Sequence, residues 1–270
     1  MHSFWRQKVS FAQLQGNRII FGEKINSETH RDYMFALHDA MKIGQAELCL
    51  DFEDTKKAYS DGMIPILCSL DSLRRSGVSI SADLPGGQEI SRLFMNTNWA
   101  HFLSPSQYPI TETTHDRHLS VKRFRSLVEP QAVVSEFLDV VMRNISLERD
   151  VLAGLEWSIN EITDNVLNHA QSEDGGLVQA TTYLENRTVA FTVGDSGRGI
   201  LSSMRQAFPS LPDDTSAIGE AVKAGVTGNS DLGQGNGLAG ALRVATLSGG
   251  QFAVTSARAS WWFFRIGLAA

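Results

Sequence analysis

The sequence predicts an α/β protein of two domains, on three observations. A strand–helix–strand pattern occupies residues 46–82. Two amphipathic helices, then strands interleaved with a short helix, occupy residues 131–266. Between them, residues 105–122 carry Pro105, Pro109, Thr111, Thr113, Thr114, His115 and Asp116 and have neither a helical nor a strand period. The expected boundaries are therefore 1–110 for a smaller first domain, 111–122 for a linker and 123–270 for a second domain.

In the first domain, Ala46–Phe52 is apolar enough for a buried strand. Tyr59-Ser60-Asp61-Gly62 reads as a turn. Ile64, Leu67, Leu70 and Leu73 then recur at helical spacing, Gly77 ends the helix, and Val78–Ala82 alternates as a second strand. Joints this short make a βαβ unit with parallel strands. In the second domain, Gln131–Asn144 and Leu147–Ala170 read as helices. Leu177–Leu184 and Thr188–Val193 form a strand pair. Leu238–Thr246 is a short helix broken by Gly249-Gly250, and Phe252–Ser256 with Trp261–Ile266 makes a final hairpin. Trp261-Trp262-Phe263-Phe264 is expected to be one strand covered on both sides.

Composition bounds the function. At 42% hydrophobic and 20% charged, the chain belongs with globular proteins rather than disordered ones. A formal charge of −6 gives no general attraction to nucleic acid or anionic membrane, so neither partner is expected. The local basic group Lys122, Arg123 and Arg125 reads as solvated linker. Cys49 and Cys68 each lie in an apolar run and read as small buried thiols. Without a signal-peptide core or a membrane-length apolar run, the expected location is cytoplasmic, with no membrane span.

Three blocks carry the chemistry. The first is Asn160-Glu161-Ile162-Thr163-Asp164-Asn165, continued by Asn168-His169-Ala170. Leu152, Leu155, Ile159, Ile162 and Val166 form the apolar face of this helix, and Glu161, Asn165 and Asn168 project from the opposite side. A carboxylate there can orient or deprotonate a water or hydroxyl. An amide oxygen one turn later can bind Mg²⁺. The second block, Gly194-Asp195-Ser196-Gly197-Arg198-Gly199, follows a strand in which Val189, Phe191 and Val193 alternate inward. A strand-end Asp195 can accept a hydrogen bond from the amine of adenine, and the glycines allow close approach to a flat base. The third is Gly233-Gln234-Gly235-Asn236-Gly237-Leu238, just ahead of a helix whose N-terminus suits oxyanions. It has no Gly-Lys-Ser/Thr, which excludes a P-loop. Singly, the blocks read equally as a solvated face, an Asp-Gly turn and a surface loop. Their order and spacing favour one magnesium-nucleotide pocket.

The three blocks resemble the N, G1 and G2 boxes of the GHKL (Bergerat-fold) ATPases, over residues 123–270. The resemblance implies a two-layer α/β sandwich binding ATP and Mg²⁺. It makes Glu161 the catalytic base, Asn165 the Mg²⁺ ligand and Asp195 the adenine reader. Gly197, Gly199 and Ile200 shape the base pocket. Gly233, Gly235, Gly237 and Leu238 border the phosphates, and residues 201–232 form the ATP lid, with Ala217, Ile218, Ala221 and Val222 on a short helix. His169 matches a position often held by histidine in the kinase-like branches and reads equally as a helix-end residue with a structural bond.

Among the branches, a classical sensor histidine kinase fits poorly. His115 and His118 lie in the polar linker, no Glu or Asp directly follows His30, and the Asp39 after His38 is a weak match. The compact helix pair before the first block is closer to the anti-sigma-factor serine kinases. Leu48-Cys49-Leu50-Asp51, Ser60-Asp61-Gly62-Met63 and Gly77-Val78-Ser79-Ile80 resemble a STAS domain, whose phosphoacceptor precedes the helix-starting glycine. Here that position is Asp61, which can imitate the phosphorylated charge or cap the helix; Ser60 is one residue away. The expected function is γ-phosphoryl transfer to a Ser or Thr of a regulatory protein partner (STAS- or sigma-factor-like), or slow ATP hydrolysis. The alternative is a non-catalytic ATP-gated interaction switch. A homodimer is compatible with either.

Overall fold

The computed structural model describes residues 11–111, 118–126, 129–185, 187–223, 237–256 and 259–267. The chain divides into two units, Met1–Thr111 and Glu112–Ala270.

The first unit opens with strands β1 (Ala12–Gln15) and β2 (Arg18–Phe21), an antiparallel hairpin turned by Gly16 at φ +62°. Short β3 (Lys24–Ile25), helix α1 (Ser27–Lys42), β4 (Glu47–Asp51), short β5 (Lys57–Ala58), α2 (Ser60–Arg75), β6 (Ser79–Asp83), α3 (Gln88–Asn96) and α4 (Trp99–Leu103) follow. The main sheet runs β1-β2-β4-β6, with β2, β4 and β6 parallel. The βαβ unit read from residues 46–82 is β4–α2–β6, in register from Glu47↔Ser79 to Asp51↔Asp83. Arg18 ties the three parallel strands, donating to Asp51 at 2.8 Å and to Asp83. Phe21 stacks on Phe52 at 4.4 Å, and edge contacts continue through Phe94 to Trp99. Cys49 and Cys68 are buried, and neither is in a disulfide.

One detail corrects the sequence reading. Ser60–Gly62 is the first turn of α2 rather than a turn before it. A Cβ at Gly62 would stand 2.7 Å from the backbone of Asn26, so α2 starts pressed against the segment that caps α1. Asp61 is half-buried there, and desolvation pushes its carboxyl up to about 6 against the opposing pull of the Gly62 and Ser27 backbone N–H groups. The folded chain therefore keeps a proton that the unfolded chain has already lost between the ordinary aspartate value and about 6. Stability falls as pH rises through that window and is flat above it. Asp61→Asn keeps the acceptor for the Gly62 N–H and removes the desolvated charge. Urea unfolding from pH 4 to 8 is expected to show a gain of about 1–3 kcal/mol at pH 7 and loss of the slope.

The second unit contains β7 (His118–Phe124), α5 (Glu129–Asn144), α6 (Arg149–Asn165), a π-helical turn (Val166–Ala170), β8 (Gly176–Tyr183), β9 (Thr188–Asp195), α7 (Gly199–Met204), α8 (Asp214–Ala221), α9 (Gly237–Leu247), β10 (Gln251–Ser256) and β11 (Ala259–Gly267). Among the described residues its sheet is antiparallel in the order β10-β11-β9-β8-β7. Phe137 and Val141 of α5, Leu155 and Ile159 of α6, and Ala241 and Ala245 of α9 pack with Val178, Val189 and Phe191 of the sheet. β7 begins inside the stretch expected to be linker. The basic group there is partnered rather than free: Lys122 pairs with Glu136, Arg123 donates to the Asp174 carbonyl, and Arg125 approaches the Asp174 carboxylate. The backbone of 261–264 lies in β11, and the expected covering of its aromatic side chains lies outside the described residues. No helix among the described residues is long and apolar enough to cross a membrane.

Candidate functional site

The helix α6 organises the site. Leu155, Ser158, Ile159 and Thr163 are buried toward the core. Glu161, Asn165 and Asn168, on the other side, are half-buried rather than solvated. Burial pushes the Glu161 carboxyl up, and the negative charge of Asp164 adds to it. Burial alone raises Asp164.

The last turns of this helix meet the end of the third block. A Cβ on Gly237, the first residue of α9, would stand 2.9 Å from Glu161 Oε2 and 3.0 Å from Asn165 Nδ2. Only a residue without a side chain brings the α9 N-terminus this close to both head groups. Farther along, Gly240 leaves room for the Trp157 ring, which a Cβ would meet at 2.0 Å. Gly233 and Gly235 lie outside the described residues.

The end of the helix meets the second block. The π-turn Val166–Ala170 closes with Gln171 in the left-handed region, φ +53°. The Ala170 carbonyl accepts from the Arg198 N–H at 2.8 Å, and the His169 carbonyl accepts from Arg198 Nε at 2.9 Å. A Cβ on Gly197 would stand 2.1 Å from the Ala170 oxygen. Gly197→Ala must therefore push the Asp195 turn off the helix end. It is expected to cost about 1–3 kcal/mol of stability in thermal or urea unfolding.

Asp195 is the last residue of β9, and its Oδ1 accepts from the Gly197 N–H at 2.8 Å. Burial pushes its carboxyl up, opposed by that bond. Gly199 starts α7 at φ +76°, and the next N–H, of Ile200, donates to Ser256 Oγ of β10 at 2.8 Å. His169 is half-buried; burial and the Arg198 charge push its imidazole down, favouring the neutral ring.

The second and third blocks meet each other too. Ile200 and Leu238 pack into one small cluster with Leu201, Phe208, Leu211 and buried Met204, Ala217 and Ala221. The described part of the expected lid therefore has its own apolar core. Asp213 caps α8 there by accepting from the Ser216 N–H at 2.8 Å. Sequence reasoning missed α7, Ser256 and the linking role of Arg198. The arginine stood inside a block read only for its aspartate and glycines.

Among the described residues no three His, Cys, Asp or Glu side chains gather as a metal site. The carboxylate of Glu161 and the amide of Asn165, both beside Gly237, carry oxygen atoms of the kind a hard cation accepts.

No curated protein and no solved structure matches the chain. Residues 124–240 match the family model of the histidine kinase-like ATPase domain, a stretch that runs from the end of β7 into α9 and includes all three blocks. GHKL-type domains of this kind bind ATP, usually with Mg²⁺. The match and the convergence of the blocks on α6 together support a GHKL-type ATPase domain in the second unit.

Proposed function

We propose that the second unit binds ATP–Mg²⁺ and transfers its γ-phosphoryl group to a Ser or Thr of a regulatory partner protein, or to water. The observation that carries this reading is the placement of Glu161 and Asn165 on successive turns of one helix face, both against the glycine that opens α9. In this reading Glu161 orients and deprotonates the acceptor hydroxyl, its basicity strengthened by burial. Asn165 holds the magnesium ion, which screens phosphate charge when bound. The α9 N-terminus presents backbone N–H groups to the phosphates. Asp195, with Oδ1 fixed by Gly197, turns its other oxygen to the adenine amine. Catalysis is then positional and electrostatic.

For the first unit we propose a STAS-like role in partner contact. Its support is the hairpin-led sheet with parallel β2, β4 and β6, and Asp61 at the start of α2. Asp61 stands where a STAS domain has its phosphoacceptor and cannot accept a phosphoryl group as a serine does, which argues against a self-substrate role for this unit and for a STAS- or sigma-factor-like partner as acceptor.

The test is incubation with γ-labelled ATP and Mg²⁺, with and without lysate. Label on a protein band indicates a kinase, and free phosphate alone indicates an ATPase. Nucleotide binding with neither product leaves an ATP-gated interaction switch. The absence of binding removes the reading.

A further inference from the structure

α9 packs on α6 through small residues. Gly237, Ala239, Gly240, Ala241 and Ala245 carry a methyl group or nothing. Ala241 and Ala245 face the core of the second unit. Gly237, Gly240 and Val244, spaced by three and four, run along α6 instead. Gly237 lies against Glu161 and Asn165, and Gly240 against the Trp157 ring. Val244 lies against Gly154, where a Cβ would stand 3.4 Å from Val244 Cγ1. Rising residue numbers on α9 thus meet falling numbers on α6, and the two helices pack antiparallel.

On α6, Trp157, Glu161 and Asn165 follow one another at intervals of four, on one face. The six-membered ring of the Trp157 indole fills a notch that only a glycine leaves, since a Cβ on Gly240 would collide with its Cη2 and Cζ3 atoms. Surfaces of glycine and alanine have no high ridges to stop one helix sliding along another, and a slide of one residue is about 1.5 Å. The seated ring is the stop. Building on the ATP reading above, we infer that Trp157 is a positioning residue: held in the Gly240 notch, it sets where the N-terminus of α9 stands beside Glu161 and Asn165, and so how the phosphate-bearing part of the nucleotide fits there.

The adenine end of the ligand does not share this contact. Asp195 is held by Gly197, and Gly197 packs on Ala170. Loss of the seat therefore falls on ligands that carry phosphates and spares the nucleoside. Trp157 is also 39% exposed, so its replacement does not hollow the core.

The experiment titrates the full chain by calorimetry with a non-hydrolysable ATP analogue and Mg²⁺, and separately with adenosine, alongside thermal unfolding. It compares wild type with Gly240→Ala, Trp157→Leu and the two substitutions together. Gly240→Ala forces α9 off the ring and is expected to lower analogue affinity by about tenfold, with adenosine affinity within about twofold of wild type. Trp157→Leu empties the notch. It is expected to weaken the analogue about fivefold and to spare adenosine, and it carries the test if Gly240→Ala does not fold. In the paired variant the new methyl meets no ring, and analogue affinity is expected to return to within about threefold of wild type. Equal weakening of both ligands, no weakening of either, or no recovery in the paired variant overturns the positioning role. The recovery is read on the analogue alone, so it decides the matter however weakly adenosine binds. A wild-type chain that binds neither ligand overturns the nucleotide reading itself.

Discussion

Asp195→Asn is expected to lower ATP affinity by about ten- to a hundredfold, the range of one charge-assisted hydrogen bond. The substitution is nearly isosteric, and the amide oxygen can still accept from the Gly197 N–H that holds Asp195 Oδ1 now. The other position then carries an NH₂ group, a donor facing the donor amine of adenine. The same NH₂ suits the carbonyl of guanine, so the preference for ATP over GTP should shrink or reverse. The pH dependence has a defined sign. Burial raises the Asp195 carboxyl, and the carboxylate that accepts the amine is lost as pH falls through that raised value. Wild-type affinity should therefore decline at a higher pH than an ordinary aspartate would allow, and the asparagine variant should be flat. Calorimetry from pH 8 down to 5 reads all three effects. Unchanged affinity at neutral pH contradicts the adenine assignment.

Glu161→Ala is expected to lower turnover by about 10²–10⁴-fold while ATP binding stays within severalfold. The side chain approaches the place where phosphates would meet Gly237, yet contributes no attraction to an anion; its removal costs chemistry rather than affinity. Its pKa is raised by burial first and by Asp164 second, so turnover should rise with pH through a value above the ordinary glutamate range. Removing the neighbouring charge by Asp164→Asn should move that limb to lower pH. Phosphate release across pH 4–8 measures both. Turnover lost in proportion to binding makes Glu161 a binding group and not a base.

Much of this site is legible in the sequence because its parts are periodic or compositionally rare. The apolar stripe of α6 puts Glu161 and Asn165 on one side by helix geometry alone. Alternation in β9 delivers Asp195 to the strand end. The βαβ unit of the first half is visible for the same reason. What was hidden depends on contacts between distant segments. Gly197 is required by the Ala170 oxygen, 27 residues earlier in the chain, and no local pattern records that. β7 was hidden because its alternation, with Leu119 and Val121 buried between half-buried Ser120 and Lys122, lasts only four residues, across a bulge, before Arg123-Phe124 break it. α7 is a helix of 6 residues, too short for a period. The start of α2 at Ser60 was obscured by Gly62, which reads as a turn but is needed for packing against Asn26.

The central claim is that α6, the Asp195 turn and the α9 N-terminus surround one adenosine triphosphate. A crystal structure of the full chain with a non-hydrolysable ATP analogue and Mg²⁺ tests it most directly. The expected result puts the adenine amine within hydrogen-bond distance of Asp195, the metal on the Asn165 amide oxygen and the terminal phosphate between Glu161 and Gly237. A nucleotide bound elsewhere, or a cleft between these residues that stays closed to it at saturating concentration, contradicts the account.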